Sequence, residues 1–199
     1  MSRFARSVSF LLGPIFTLFP IIFISVAKFS HDYSHALKWT IISYAFVMPV
    51  VVFIIYGVMM GYFTNFDVSK REQRPLLFSV CAFAILCYSL FLYFFNGPKI
   101  LFIDILAVIL GLAIIIIVNR WIKASIHLAT LTSAVLFIWI VYRGYTFLLL
   151  GLIPLLTWAR VETKEHSVRE TIIGTILGIV ITLLVYLITK HFFMWLIRN

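Results

Sequence analysis

Charge is what this chain has least of. Only 12% of its 199 residues are Asp, Glu, Lys or Arg, 63% are hydrophobic, and the mean hydropathy is +1.12. A soluble domain is about one quarter charged and one half apolar. So little polar surface cannot cover a water-facing domain of this size, which excludes a soluble enzyme and makes the bilayer the solvent. Acidic residues are scarcest, seven in all, and they form no convincing carboxylate cluster for Mg²⁺. The two cysteines, Cys81 and Cys87, lie six apart in one apolar run. On a helix that is a rise of roughly 9 Å, too far for a disulfide. Also absent are a Pro/Ser-rich linker, a low-complexity tract and an internal repeat, so a single integral-membrane domain over residues 1–199 is expected.

Apolar length is what the chain does have. A spanning helix needs about 20 mostly apolar residues and tolerates an internal Pro or Gly. Seven segments qualify as apolar helices, approximately 8–27, 39–62, 76–95, 99–118, 126–142, 145–158 and 170–189, the sixth being short. The expected fold is therefore all-α, a polytopic transmembrane bundle of about six to seven helices. Arg3 and Arg6 before the first run, with Ser25-Val26-Ala27 after it, loosely resemble a cleavable signal. The length of that run and its Gly13, Pro14 and Pro20 favour a retained helix.

Sixteen Lys and Arg against seven acids give a net charge of +9. The basic residues form no continuous stripe, which argues against nucleic acid and for phosphate on a lipid. Seven crossings would put the N-terminus and the loops 63–75, 119–125 and 159–169 on one face with ten of the sixteen cations. By the positive-inside rule that face is cytoplasmic. Cations recruited to a site were not placed by that rule, so the face on which a site opens stays undecided at this level.

Those three loops hold the chemistry. The first contains Lys70, Arg71 and Arg74-Pro75. Read blandly it is a solvated loop anchored to headgroups; read functionally it is an anion cradle, since a guanidinium matches phosphate oxygens. The second contains Lys123, Ser125 and His127 at alternate positions, which in an extended stretch point the same way. The third contains Arg160, His166 and Glu170. His166 and Glu170 are four apart, so on a helix the carboxylate reaches the imidazole, as nucleophilic or general-base work requires. Its bland reading is a helix start with mixed charges. Asp104, inside the fourth apolar segment, is an intramembrane charge and a functional suspect by default.

These residues resemble the motifs of the type 2 phosphatidic acid phosphatases, membrane enzymes whose three motifs read Lys-x6-Arg-Pro, Pro-Ser-Gly-His and Ser-Arg-x5-His-x3-Asp. Arg74-Pro75 matches the end of the first, Ser125 and His127 the second, and Arg160, His166 and Glu170 the third, with Gly174 and Gly178 following at the family's spacing. The resemblance covers about residues 60–185, and the first helix contributes nothing to it. Asp67 stands in place of the first-motif Lys, Ala124 and Ile126 in place of Pro and Gly, Ala159 in place of Ser, and Glu170 in place of Asp. A short, divergent bacterial branch with Lys-x-Ser-x-His as its second motif is the nearest match.

The resemblance implies a metal- and cofactor-independent hydrolase of a bacterial inner membrane, acting on a lipid phosphate or diphosphate held in the bilayer. It implies His166 as nucleophile, His127 as general acid, Glu170 as the group fixing the His166 tautomer, and Arg74, Arg160, Lys123 and Ser125 as phosphate ligands, with Lys70 and Arg71 in support. Two other readings stand beside it. One is a lipid-phosphate binder or transporter that lost turnover. The other is a membrane prenyltransferase, since Asn65 and Asp67 ahead of the Arg-Pro loop faintly resemble that family's first Asp-rich motif; it would need a second such loop, and the only Asp after Asp67 is Asp104.

Overall fold

A computed structural model describes residues 2–198, with side chains through residue 190. Among these the chain forms helices and no strand. It runs through α1 (Arg3–Leu11), α2 (Pro14–Ser30), α3 (Tyr33–Met59), α4 (Arg74–Phe94), α5 (Lys99–Val118), α6 (Ile126–Tyr142), α7 (Leu152–Glu162) and α8 (Val168–Arg198). A 3-10 turn, Arg71–Gln73, leads into α4, and a 3-10 stretch, Gly144–Gly151, leads into α7.

Each of the seven expected segments is helical, with two differences. The first is a broken pair, α1 and α2, bent by 40°. Pro14 opens α2; its ring has no N–H to donate to the preceding turn and clashes with it, so α1 cannot run on. The sixth begins as a 3-10 stretch before becoming α7. Among the described residues five helices are long and apolar enough to cross a membrane: α3, α4 with its leading turn, α5, Gly144–Glu162, and α8 as far as Lys190. The bent pair makes six if it is one span, while α6, at 17 residues, is shorter. Large apolar side chains stand outward along these helices, Ile41 60% and Leu187 57% exposed among them. Contiguous apolar surface of that kind fits an integral membrane protein.

The chain divides into two compact units, Met1–Ile21 with Ala113–Asn199, and Ile22–Leu112. In the first, α6 and α8 share the closest seam. A Cβ at Gly174 would lie 2.5 Å from the Ser125 carbonyl oxygen, and one at Gly178 would lie 2.6 Å from that of Ala129. The Ser133 hydroxyl donates to the Gly178 carbonyl at 3.0 Å. Small residues four apart let two helix backbones approach this closely in lipid. Behind the seam Leu128, Leu131, Val135 and Leu156 form a buried core, and Leu12 bridges it to Ala5, Val8 and Ala159, where α1 packs on α7.

In the second unit α3 and α4 pack through aromatic rings. Phe46 lies 5.2 Å from both Tyr88 and Phe91, and Ser43 and Tyr88 share a hydrogen bond. The Ser25 hydroxyl donates to Asp104 Oδ1 at 3.4 Å, while Asp104 Oδ2 is buried with no hydrogen-bond partner. The loop before α4 is a built turn rather than a loose one. The Gln73 side-chain oxygen accepts from the Thr64 amide and hydroxyl, the Asn65 side chain spans to Ser69, and Arg74 Nε donates to the Val68 carbonyl at 3.3 Å.

A methyl group added at the α6–α8 seam meets backbone, which cannot swing aside. Gly174→Ala and Gly178→Ala are expected to lower stability by about 1–3 kcal/mol each. Gly151→Ala, which meets nothing within 4 Å, is the matched control. Thermal unfolding in detergent should show two lowered Tm values and one unchanged; equal Tm values for all three would refute the close seam.

Candidate active site

The seam between α6 and α8 decides which polar residues meet. Ser125 is the N-cap of α6: its hydroxyl accepts from the Leu128 amide at 3.5 Å, satisfying one of the orphan donors of the first turn. Its own amide donates to the Glu170 carbonyl at 3.2 Å, which stitches the start of α6 to the start of α8. His127 lies in that first turn of α6, two residues past the cap. Lys123, just before it, sends Nζ to the Glu165 main-chain oxygen at 2.8 Å. The second and third sequence clusters are thus held together by two hydrogen bonds, both accepted by main-chain oxygens of the third.

The spacing between Arg160 and His166 follows from how α7 ends. Thr163 is the C-cap and Lys164 adopts a left-handed conformation, φ 58°. The Lys164 amide donates to the Val161 carbonyl at 3.0 Å and the Glu165 amide to the Arg160 carbonyl at 3.2 Å. These are the two crossed bonds of a Schellman turn. The His166 amide also reaches the Arg160 carbonyl, at 3.3 Å, so five intervening residues bring the chain straight back beside the arginine. Lys164 takes the place usually given to Gly.

α8 then opens with a capping box. The Glu170 amide donates to the Ser167 hydroxyl at 3.3 Å, and the Ser167 amide donates back to Glu170 Oε2 at 3.1 Å. The same Oε2 takes His166 Nδ1 at 2.9 Å. Glu170 is therefore both a helix cap and the hydrogen-bond partner of His166. A carboxylate only accepts, so Nδ1 carries the hydrogen and Nε2 keeps its lone pair.

His166 is buried, 6% exposed, and Arg160 is 1% exposed. Burial pushes the imidazole down to a pKa of about 4, and the Arg160 and Lys123 charges push the same way. The bond to Glu170 opposes them and loses. At neutral pH His166 is an uncharged base with a free lone pair, the state nucleophilic attack requires.

Two residues that the sequence reading passed over touch this site. Arg160 Nη1 donates to the Ser9 hydroxyl of α1 at 2.9 Å, and a Cβ at Gly13 would lie 3.1 Å from His127 Nε2. They are 151 and 114 positions from their partners, and no local pattern announces either. Ser167 could have been found, since Ser-x-x-Glu ahead of an apolar run is the capping-box signature. The cations of the first cluster belong to the second unit. There Arg74 is buried against the Val68 carbonyl, while Lys70 and Arg71 are exposed. Among the described residues no three His, Cys, Asp or Glu side chains converge on a point that could hold a metal ion. No family model, curated protein or solved structure matches this chain.

The depressed His166 pKa makes stability depend on pH. The unfolded imidazole takes up its proton near pH 6.5, the folded one only near 4. The contribution is therefore whole above 6.5 and is lost as pH falls towards 4, with an upper bound of about 3.5 kcal/mol. His166→Gln, which still has a donor for Glu170, should lose less Tm than the native chain between pH 7 and pH 4.5. Parallel Tm curves for the two proteins would show that His166 is not held neutral.

Proposed function

We propose that this chain is an integral-membrane lipid phosphatase of the type 2 phosphatidic acid phosphatase class. It would remove phosphate from a lipid phosphate or diphosphate in a bacterial inner membrane. The observation that carries this reading is the bond from His166 Nδ1 to Glu170 at 2.9 Å, beside the buried Arg160 guanidinium. A neutral, oriented imidazole next to a fixed cation is a nucleophile next to an anion site.

His166 Nε2 attacks phosphorus, forming an N–P bond as the P–O bond to the lipid breaks. His127, protonated, gives its proton to the departing alkoxide. The resulting neutral His127 then takes a proton from water, whose oxygen attacks the phosphohistidine; inorganic phosphate leaves and His166 returns to its starting state. Arg160 and Lys123 balance the charge on the phosphoryl oxygens, and the Ser125 O–H is a further donor. Phosphoryl transfer depends chiefly on such positioning and electrostatics. The step is complete with residues of the first unit. The Arg74-Pro75 pair adds to the resemblance from the second unit, with Lys70 and Arg71 near it.

The lipid character of the substrate rests on place. Helices that fit a bilayer carry these loops at their ends, where headgroup phosphates lie. Trp121 and Trp158, 71% and 43% exposed, suit the interfacial belt.

Phosphate release from dioctanoyl phosphatidate by the detergent-purified protein tests the reading. His166→Ala should abolish release, and Arg160→Ala should lower it ~100- to 1,000-fold. Loss of His127 should hurt an alkyl phosphate more than p-nitrophenyl phosphate, whose leaving group needs no acid. Full activity in His166→Ala would end the mechanism. Binding of the lipid without release in the native chain would favour the binder reading instead.

A further inference from the structure

The N-terminal helix carries none of the sequence resemblance, yet it reaches both ends of the site. Its inward face is Ala5, Val8 and Ser9, packed on α7 at Ala159, a residue with no solvent exposure and no side chain beyond Cβ. That small residue lets α1 come close enough for Ser9, itself buried, to meet Arg160 Nη1 at 2.9 Å. Three residues after Ser9 the chain breaks: the Gly13 amide turns back to the Phe10 carbonyl at 3.1 Å, and Pro14 starts α2. At that break the Cα of Gly13 faces the His127 ring. A Cβ there would crowd Nε2 at 3.1 Å and the Phe10 oxygen at 3.0 Å. Backbone on one side and a ring on the other leave a side chain little room to relax.

We propose that Ser9 and Gly13 are positioning residues of the phosphoryl site: Ser9 aims the Arg160 guanidinium, and Gly13 reserves the volume that the His127 imidazole occupies. The inference rests on the phosphatase reading and adds a part of the chain to it. The chemistry of the Ser9 contact argues for aiming rather than simple packing. A guanidinium is a planar fork whose value to a phosphate lies in its direction. A hydroxyl oxygen accepts one of its N–H groups and fixes the plane without cancelling the charge, as a carboxylate would. That charge is felt at His166, whose proton affinity it lowers. The break at Leu12–Gly13 sets the residue after the short helix against the ring, and on that backbone a Cβ would crowd it.

The two positions predict different kinetic signatures, which a merely structural role would not. With dioctanoyl phosphatidate and p-nitrophenyl phosphate as paired substrates, Ser9→Ala should lower kcat about tenfold or more on both, the scale of one hydrogen bond to a charged group. Ser9→Thr, which keeps the hydroxyl, should restore most of it. Ser9→Asp should inactivate the enzyme by pairing Arg160 and should move the acid limb of any residual activity to higher pH. Gly13→Ala should cost kcat on the alkyl ester and spare the nitrophenyl ester, since it displaces the acid that only the former needs. Tm in detergent checks folding, and if Gly13→Ala does not fold, the Ser9 series decides alone. An active native chain whose Ser9→Ala variant keeps native kcat and KM, or whose Thr and Ala variants are equally impaired, overturns the inference while leaving the phosphatase reading intact. Native protein that releases phosphate from neither ester overturns both.

Discussion

The close approach of α6 and α8 is the constraint on which the candidate site depends. In lipid, helices gain little from burying apolar side chains against each other, since the acyl chains are equally apolar; they associate where backbones can touch. Gly174 and Gly178 provide that touch, and its by-product is chemical. Ser125 at the head of α6 and Glu170 at the head of α8 become neighbours through a main-chain hydrogen bond. His127 and His166 then stand on two segments that a single seam holds in register. Any residue with a Cβ at position 174 would press on the Ser125 carbonyl and so disturb the cap that starts α6.

Local turn chemistry does the rest on the other side of the seam. A Schellman turn closes α7 on Arg160, and a capping box opens α8 on Glu170, with His166 suspended between them. Ordinary helix ends thus serve as the frame of the site. The Glu170 side chain, one methylene longer than an Asp, reaches back to both the Ser167 amide and His166 Nδ1. Fixing the tautomer and capping the helix become one interaction. Burial of His166 and the charge of Arg160 then hold the imidazole neutral, against the pull of its own carboxylate partner.

Much of this was legible from residues alone. Helices at 99–118 and 126–142 were readable to the residue, because long unbroken apolar runs bounded by Lys99, Asn119, Ser125 and Arg143 leave little choice of ends. The pairing of His166 with Glu170 was readable too, since it needs only the four-residue repeat of a helix. The break at Leu12–Gly13 is not legible from Pro14 alone, because a proline inside an apolar run is tolerated in one helix and ends the next. Around Arg74 the charge-rich loop was open to two readings, a solvated loop or an anion cradle, and composition could not show that Asn65, Ser69, Gln73 and the Val68 carbonyl give it an internal hydrogen-bond network.

The sequence by itself determined the solvent, the helical class and the short-range pairs, because those follow from composition and from periods of three or four residues. Tertiary structure alone decided that Ser9 meets Arg160 across 151 positions, that Gly13 lies against His127, and that burial and the Arg160 charge push the His166 pKa below its ordinary value. These depend on burial and on Coulomb terms that act through space. The scarce charge of the chain fixes only how few such contacts there can be; the packing of α1, α6, α7 and α8 chooses which ones exist.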